Sequence, residues 1–215
     1  MVLSIDQFKQ LLEDASIVLV DARMPEEWIQ GHIPNSLNIT PATVKYAVAM
    51  GMIQKSSSLV FVLDPTIEKE TIAYFNEAGF DNIKGYLAGG FSSWENAGYK
   101  KDMLIEVEAD ELAMDIPHDP NLVVVDVRRE TEYADGHLKD AQNLPLHEMT
   151  DVAHITQFDD SQNLYIHCAG GYRSVIAASI LKKEGIHNLR NVLGGWAKIK
   201  EEKKLKIEKD VSVLN

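Results

Sequence analysis

The stretch HCAGGYRS, residues 167–174, places a thiol, a guanidinium and two glycines close together in the sequence. Cys168 is the single cysteine of the chain, so it has no internal disulfide partner. Gly170 and Gly171 let the backbone turn so that several N–H groups face one point, and Arg173 adds a permanent positive charge. Such surroundings favour a thiolate with an anion bound beside it. The spacing therefore predicts an anion-binding loop with a nucleophile at its floor.

Two regular elements must hold this loop in place. The apolar run NLYIH before Cys168 predicts a buried strand, and SVIAASILKKEG after Arg173 predicts a helix that ends near Gly185. Ligands of open α/β sheets bind beyond the carboxyl ends of the strands, which is where Cys168 lies. A lone cysteine is more often a small buried hydrophobe than a nucleophile. The combination of strand end, thiol, glycine pair, arginine and helix start favours chemistry.

The chain contains the same pattern twice. Residues 17–39, IVLVDARMPEEWIQGHIPNSLNI, align without gaps with residues 122–144, LVVVDVRRETEYADGHLKDAQNL. Asp21 and Asp126 mark a constant offset of 105, which also relates Gly89 to Gly194. A repeat of this length indicates a duplicated domain, because solenoid repeats are about 20–50 residues long.

Strand-like and helix-like patterns alternate in each copy. They predict an α/β fold with two domains, residues 1–100 and residues 106–205, each an open, mainly parallel sheet flanked by helices. The polar residues 96–102 predict a linker, and the mixed-charge residues 200–210 predict a solvated helix or tail.

Composition and charge limit the classes of function. Hydrophobic residues make up 45% and charged residues 25%, which indicates a packed globular protein. The net charge of −12 and the pI near 5.0 argue against binding to nucleic acid or an anionic membrane. With no secretory pattern, no apolar run that could cross a bilayer and one cysteine, we expect a cytoplasmic protein. The histidines show no metal-ligand spacing, and we expect neither a metal nor another cofactor.

Both copies resemble rhodanese domains, and the similarity covers nearly the whole chain. The first-strand signature VDxR…E(W/Y)…GH of that family has a counterpart in each copy, and CAGGYRS resembles its active-site loop, commonly C-x-x-G-x-R-S. The resemblance implies a sulfurtransferase whose cysteine takes up a sulfane sulfur as a persulfide and passes it to a nucleophile. It assigns catalysis to Cys168 and Arg173. It assigns substrate binding to the other loop residues, namely Ala169, Gly170, Gly171, Tyr172 and Ser174.

The same resemblance suggests reaction partners. Thiosulfate or a low-molecular-weight persulfide is the expected anionic donor, and a thiol, sulfite or cyanide is the expected acceptor. The loop is also similar to that of rhodanese pairs joined to persulfide dioxygenases of the metallo-β-lactamase fold. Such a dioxygenase, fused to this chain or separate, is therefore a candidate partner.

Two other functions stay open on the sequence. One is a module that binds or carries persulfide sulfur without fast turnover. The other is a phosphatase or arsenate reductase of the related C-x5-R type, but only four residues separate Cys168 from Arg173 here. The tighter loop suits a single sulfur atom, and it holds no general acid for a phosphate-ester leaving group.

The first copy helps to separate structural from catalytic residues. Its matching turn reads VLDPTIEKE, with Leu63 or Asp64 in the place of the cysteine, so we expect no sulfur transfer there. Asp126 and Arg128 recur in that inactive copy, which favours a structural polar network. We expect His167 to face away from Cys168, because adjacent strand residues point to opposite faces. Tyr172 either lines the pocket mouth or packs outward.

Overall fold

The computed structural model describes residues 1–159 and 161–210. The chain divides into two compact units, Met1–Met103 and Leu104–Asn215. Each unit contains one copy of the repeated pattern.

Strands and helices alternate along each unit. The strands are β1 (Val2–Leu3), β2 (Ile17–Asp21), β3 (Leu37–Asn38), β4 (Ser58–Val62), β5 (Ile83–Leu87), β6 (Ile105–Val107), β7 (Leu122–Asp126), β8 (His137–Leu138), β9 (Gln142–Asn143), β10 (Asn163–His167), β11 (Leu189–Val192) and β12 (Ile207–Glu208). The helices are α1 (Ile5–Leu12), α2 (Pro25–Gln30), α3 (Val44–Ala49), α4 (Glu68–Glu77), α5 (Gly90–Asn96), α6 (Ala109–Asp115), α7 (Glu130–Ala134), α8 (Val152–Ile155), α9 (Tyr172–Lys183) and α10 (Gly195–Ile199), with 3₁₀ turns at Pro65–Ile67 and Glu148–Thr150.

Each unit is built on one parallel five-stranded sheet. The strand orders are β1-β5-β4-β2-β3 and β6-β11-β10-β7-β9, so the two sheets share one topology. In β10, Leu164 lies opposite Val123 of β7 and Leu189 of β11. Consecutive β10 residues are buried, which requires cover on both faces of the sheet. This confirms the predicted α/β fold and places the end of β10 in the middle of the carboxyl edge.

A β-bulge accounts for the unequal spacing inside the two copies. The segment after β4 is one residue shorter than the loop after β10, yet Gly89 and Gly194 keep the common offset. The pairing of β4 with β5 shifts between Leu59 and Val60, so Lys84 is an extra residue in β5. The pairing of β10 with β11 has no such shift. One inserted residue in β5 therefore restores the register that the shorter loop had changed.

Two segments differ from the expectation. Residues 97–102 belong to the N-terminal domain, because Asp102 and His32 exchange two backbone hydrogen bonds of 2.9 Å. The mixed-charge segment near the C-terminus contains β12, which pairs antiparallel with β8, rather than a helix. Both contacts are hydrogen bonds between backbone groups. The charges of the side chains therefore did not predict them.

None of the helices in the described part of the chain combines the length and the apolar character that crossing a bilayer requires.

Candidate active site

The carbonyl group of Cys168 fixes the start of the loop. Its oxygen accepts the N–H of Trp196 at 2.7 Å, in the first turn of α10. Gly195 has a φ of +54°, and a Cβ at that position would overlap the same carbonyl oxygen. Only glycine combines this backbone conformation with so close an approach. The glycine turn after β11 therefore positions the cysteine at the end of β10.

The thiol lies at the floor of the loop. The Sγ atom of Cys168 accepts the backbone N–H of Gly171 at 3.1 Å, and the residue is only 1% exposed. Gly171 has a φ of +115° and immediately precedes α9, whose positive N-terminal end favours negative charge in the loop. A Cβ on Gly170 or Gly171 would meet nothing within 4 Å, so there is open space beside both glycines. The loop backbone at the two glycines is therefore open to approach, while the sulfur itself is buried beneath it.

The other predicted loop residues have different surroundings. The Ser174 hydroxyl is buried and donates to the Gly171 carbonyl oxygen at 2.9 Å, and the Ala169 carbonyl oxygen accepts the N–H of Ala197 at 3.3 Å. Tyr172 is 44% exposed at the start of α9. The Ser174 hydroxyl and the Ala169 carbonyl group thus form hydrogen bonds that hold the loop backbone, whereas Tyr172 lies at the surface.

Arg173 has a carboxylate partner that the sequence reasoning missed. Its Nη1 donates to Glu132 Oε2 at 2.6 Å and its Nη2 donates to Glu132 Oε1 at 2.8 Å. The hydrogen bonds from Arg173 lower the pKa of Glu132 from 4.5 to about 2, so this carboxylate is ionised at neutral pH. The ion pair joins the first turn of α9 to α7 and neutralises part of the charge that Arg173 brings to the loop.

Glu132 has two roles, and only the first, capping of α7, is shared with its counterpart in the N-terminal domain. Glu132 accepts the N–H of Arg129 at 3.2 Å and caps α7, as Glu27 accepts the N–H of Met24 at 3.3 Å and caps α2. Both copies therefore need a glutamate there for capping. Only the C-terminal copy has an arginine at the loop to pair with it, and that arginine lies 41 residues further along the chain.

Asp126 and Arg128 form a buried ion pair below the loop. The Arg128 Nη2 atom donates to Asp126 Oδ2 at 2.6 Å and to the Gly136 carbonyl oxygen at 2.7 Å, and the guanidinium lies 4.4 Å from the Trp196 ring centre. The N-terminal domain repeats the arrangement, with Arg23 on Asp21 at 2.6 Å. An interaction kept in both domains supports the interpretation as a structural network.

His167 is fully buried, and its Nδ1 lies 3.3 Å from the Cys168 carbonyl oxygen. Its Nε2 lies 3.7 Å from Asp126 Oδ2 and has no hydrogen-bond partner among the described residues. Burial lowers the pKa of His167 below 6.5, although Asp126 acts in the opposite direction, so the imidazole is neutral at pH 7. The N-terminal domain has Val62 in this position, and the histidine therefore accompanies the cysteine.

The N-terminal domain offers no equivalent nucleophile. Leu63 follows β4 as Cys168 follows β10, and a Cβ on Gly90 would lie 2.8 Å from the Leu63 carbonyl oxygen, so the same glycine turn approaches it. Pro65 lacks a backbone N–H, and the Asp64 carboxylate caps the following 3₁₀ turn. The Asp64 carboxylate, next to Leu63 in this turn, repels an anionic donor.

In the described part of the chain, one group of possible metal ligands lies close together at the surface. Ligand atoms of Glu130, His147 and Glu148 all lie within 4.8 Å of one another. Their separation along the chain explains why no ligand spacing was visible in the sequence.

Comparison with known proteins gives matches along both domains. A family model described as "Rhodanese-like domain" matches residues 4–97 and 108–202. The thiosulfate sulfurtransferase GlpE of Shewanella oneidensis is 32% identical over 96 residues, which cover 44% of this chain and 92% of that protein. A sulfurtransferase of Allochromatium vinosum is 27% identical over 99 residues, covering 45% of this chain and 91% of that protein.

Longer proteins match as well. YrkF of Bacillus subtilis, whose name assigns it provisionally as a sulfur carrier protein, is 31% identical over 120 residues, covering 55% of this chain and 62% of that protein. The crystal structure of a thiosulfate sulfurtransferase from Pseudomonas aeruginosa aligns with 98% of this chain and 44% of that chain, at 18% identity and a TM-score of 0.42. The chain thus spans less than two thirds of either protein.

Proposed function

We propose that this chain, which belongs to the family of rhodanese-like domains, is a sulfurtransferase that works through a persulfide on Cys168. The observation that carries the proposal is the hydrogen bond from the Gly171 N–H to the Cys168 sulfur, at the N-terminus of α9. This N–H and the helix end beside it stabilise negative charge on the sulfur both before and after sulfur is added. The donors that the proposal names are thiosulfate and low-molecular-weight persulfides.

The reaction has two displacement steps. In the first, the Cys168 thiolate attacks the sulfane sulfur of thiosulfate, a sulfur–sulfur bond forms, and sulfite leaves with the electron pair of the broken bond. In the second, an acceptor such as cyanide or a thiolate attacks the outer sulfur of the persulfide, and the Cys168 thiolate is restored. Neither leaving group needs a proton from a general acid, which agrees with a loop that has no acidic side chain.

The surrounding contacts support a loop that is rigid before the donor arrives. Trp196 holds the Cys168 carbonyl group, Ser174 holds the Gly171 carbonyl group, and Glu132 holds the Arg173 guanidinium. A loop fixed by these three contacts keeps the Gly171 N–H directed at the sulfur without reorganisation during the reaction.

The test uses the single thiol of the chain. We expect incubation with thiosulfate or glutathione persulfide to raise the intact mass by one sulfur atom, and we expect Cys168→Ser to remain unmodified. Because the chain has no second cysteine, an adduct that is lost in this variant must be on Cys168. Wild-type protein that takes up no sulfur from either donor, or that hydrolyses an aryl phosphate instead, would contradict the proposal.

A sulfur carrier is the second candidate, favoured by the burial of the thiol. A residue that is 1% exposed can protect a persulfide from solvent and small thiols and slow its release. Steady-state formation of thiocyanate from thiosulfate and cyanide separates the two functions. Repeated turnover indicates an enzyme, and a stoichiometric adduct without turnover indicates a carrier.

The N-terminal domain, in this proposal, is a noncatalytic scaffold or contact surface. Its Leu63 and Asp64 cannot accept sulfur, although the fold is complete. A cytoplasmic location and a persulfide dioxygenase as partner stay predictions that rest on the sequence alone.

A further inference from the structure

The C-terminal domain contains a cavity that the proposed sulfur transfer does not use. The cavity has a volume of about 430 Å³ and opens to solvent beside β8. Its apolar walls include Leu138, Leu205, Ile116 and Pro117. Cavities of about 300–1,000 Å³ are the usual size for small-molecule sites.

The cavity lies toward the amino-terminal edge of the sheet, away from Cys168. Ile116 and Pro117 follow α6 and precede β7, which is parallel to β10. Cys168 follows the opposite end of β10. A five-residue strand, about 16 Å long, separates the two edges. A molecule in the cavity would not contact the thiol.

The duplicated domain shows which residues leave the space open. β1 pairs with β5 as β6 pairs with β11, and these two registers align β1 with β6. The helices that follow β1 and β6 are thereby aligned as well, and Lys9 is the counterpart of Ala113. Tyr99 is likewise the counterpart of Leu205. The histidines of the two GH sequences pair with Asp102 and Glu208, and Tyr99 and Leu205 each lie three residues before that partner. In the N-terminal domain the Lys9 ammonium lies 4.2 Å from the Tyr99 ring centre. Ala113 and Leu205 are smaller, and both line the cavity.

The charge at the cavity is opposite to that of the chain as a whole. Lys139, Lys204 and Lys206 line it together with one carboxylate, Asp140, in a chain with a net charge of −12. The Lys139 Nζ lies 3.8 Å from Glu208 Oε1. Of the carboxylates in the described residues, none forms an ion pair with Lys204 or Lys206. Two ammonium groups that have no ion pair among the described residues, beside an apolar wall, complement an anion that has an apolar body.

We propose that this cavity binds a small amphipathic anion. Its alkyl or aryl body packs on Leu138 and Leu205, and its carboxylate or other anionic head group lies between Lys204 and Lys206. This site is independent of the sulfur chemistry and does not require the proposed function to be correct.

The test is a titration of the ¹⁵N-labelled full chain with sodium octanoate, followed in ¹H–¹⁵N correlation spectra. We expect saturable shifts that concentrate in the backbone amides of residues 138–140 and 204–206, with a Kd of about 1 mM or tighter. 1-Octanol has a similar alkyl body without the charge, and we expect it to bind about 2- to 30-fold more weakly, because it forms neither of two exposed ion pairs worth about 0.2–1 kcal/mol each.

Variants separate the roles of charge and shape. Lys204→Glu combined with Lys206→Glu should weaken octanoate binding at least about tenfold, because attraction is replaced by repulsion. The matched control, Lys183→Glu with Lys200→Glu, changes the net charge equally at exposed positions outside the cavity and should bind as the wild type does.

Closing the cavity with the residues of the N-terminal domain gives a second, independent arm. Ala113→Lys combined with Leu205→Tyr adds a positive charge but fills the space, so octanoate binding should be lost and formation of the sulfur adduct should be unchanged. Equal binding of octanol and octanoate would overturn the proposal. So would shifts that persist in the filled variant, or a concentration-dependent self-association that this variant abolishes, since the occupant would then be a second copy of the chain.

Discussion

The glycine turn after β11 gives the sharpest test of how the loop is held. Gly195 has a φ of +54°, and a Cβ there would overlap the carbonyl oxygen of Cys168. In Gly195→Ala the left-handed conformation costs about 1–2 kcal/mol and the overlap about 1–3 kcal/mol more, so we expect a loss of about 2–5 kcal/mol of domain stability. Relief of the overlap must move the Cys168 carbonyl group away from the Trp196 N–H, and with it the thiol. A displacement of about 1 Å at a reacting group reduces the rate about 100-fold.

The N-terminal domain supplies the matched control. Gly90 has a φ of +61°, and its added Cβ would lie 2.8 Å from the Leu63 carbonyl oxygen, so Gly90→Ala imposes a similar strain where no thiol is present. We expect both variants to lower the urea midpoint of the domain that carries the change, followed by tryptophan fluorescence. We expect only Gly195→Ala to reduce kcat/KM for transfer of sulfur from thiosulfate to cyanide. If Gly195→Ala keeps wild-type transfer, or if Gly90→Ala loses transfer equally, the glycine turn does not position the cysteine.

Three further substitutions test the charged and buried groups. Glu132→Gln should remove about 1 kcal/mol of stability at neutral pH, a value reduced for the partial exposure of the ion pair, because the depressed pKa of Glu132 stabilises the fold above its unfolded value of 4.5. The difference in urea midpoint should shrink as the pH falls from 4.5 toward 2, and a difference that does not change with pH would refute the assignment. His167→Val, which copies Val62, should change stability at neutral pH by no more than about 1 kcal/mol, because it removes a buried Nε2 without a hydrogen bond as well as the 3.3 Å contact of Nδ1 with the Cys168 carbonyl oxygen. Below pH 6.5 the wild type should lose stability relative to this variant, since the unfolded histidine binds a proton that the buried one rejects, and equal pH profiles would contradict the burial effect. Arg173→Lys keeps the charge but loses the bidentate ion pair, so we expect persulfide formation to slow about tenfold at constant donor concentration, and an unchanged rate would show that the pair does not order the loop.

The sequence by itself determined the features that depend on local pattern. Alternating strand-like and helix-like patterns predicted the fold, and the constant offset between Asp21 and Asp126 revealed the duplication. The order of strand, Cys168, glycine pair and helix placed the thiol at the carboxyl edge of a sheet. These features are visible in the sequence because hydrophobic periodicity and turn chemistry act over a few residues.

Only the tertiary structure decided which distant groups meet. It brought Glu132 to Arg173 across 41 residues, and it set the Trp196 N–H on the Cys168 carbonyl group. It also showed that Ala113 and Leu205 leave open a space where their counterparts pack on each other. Contacts of this kind depend on how distant strands pair and on the volumes of side chains that meet only after folding. Patterns within a few neighbouring residues of the sequence do not show which distant side chains will meet.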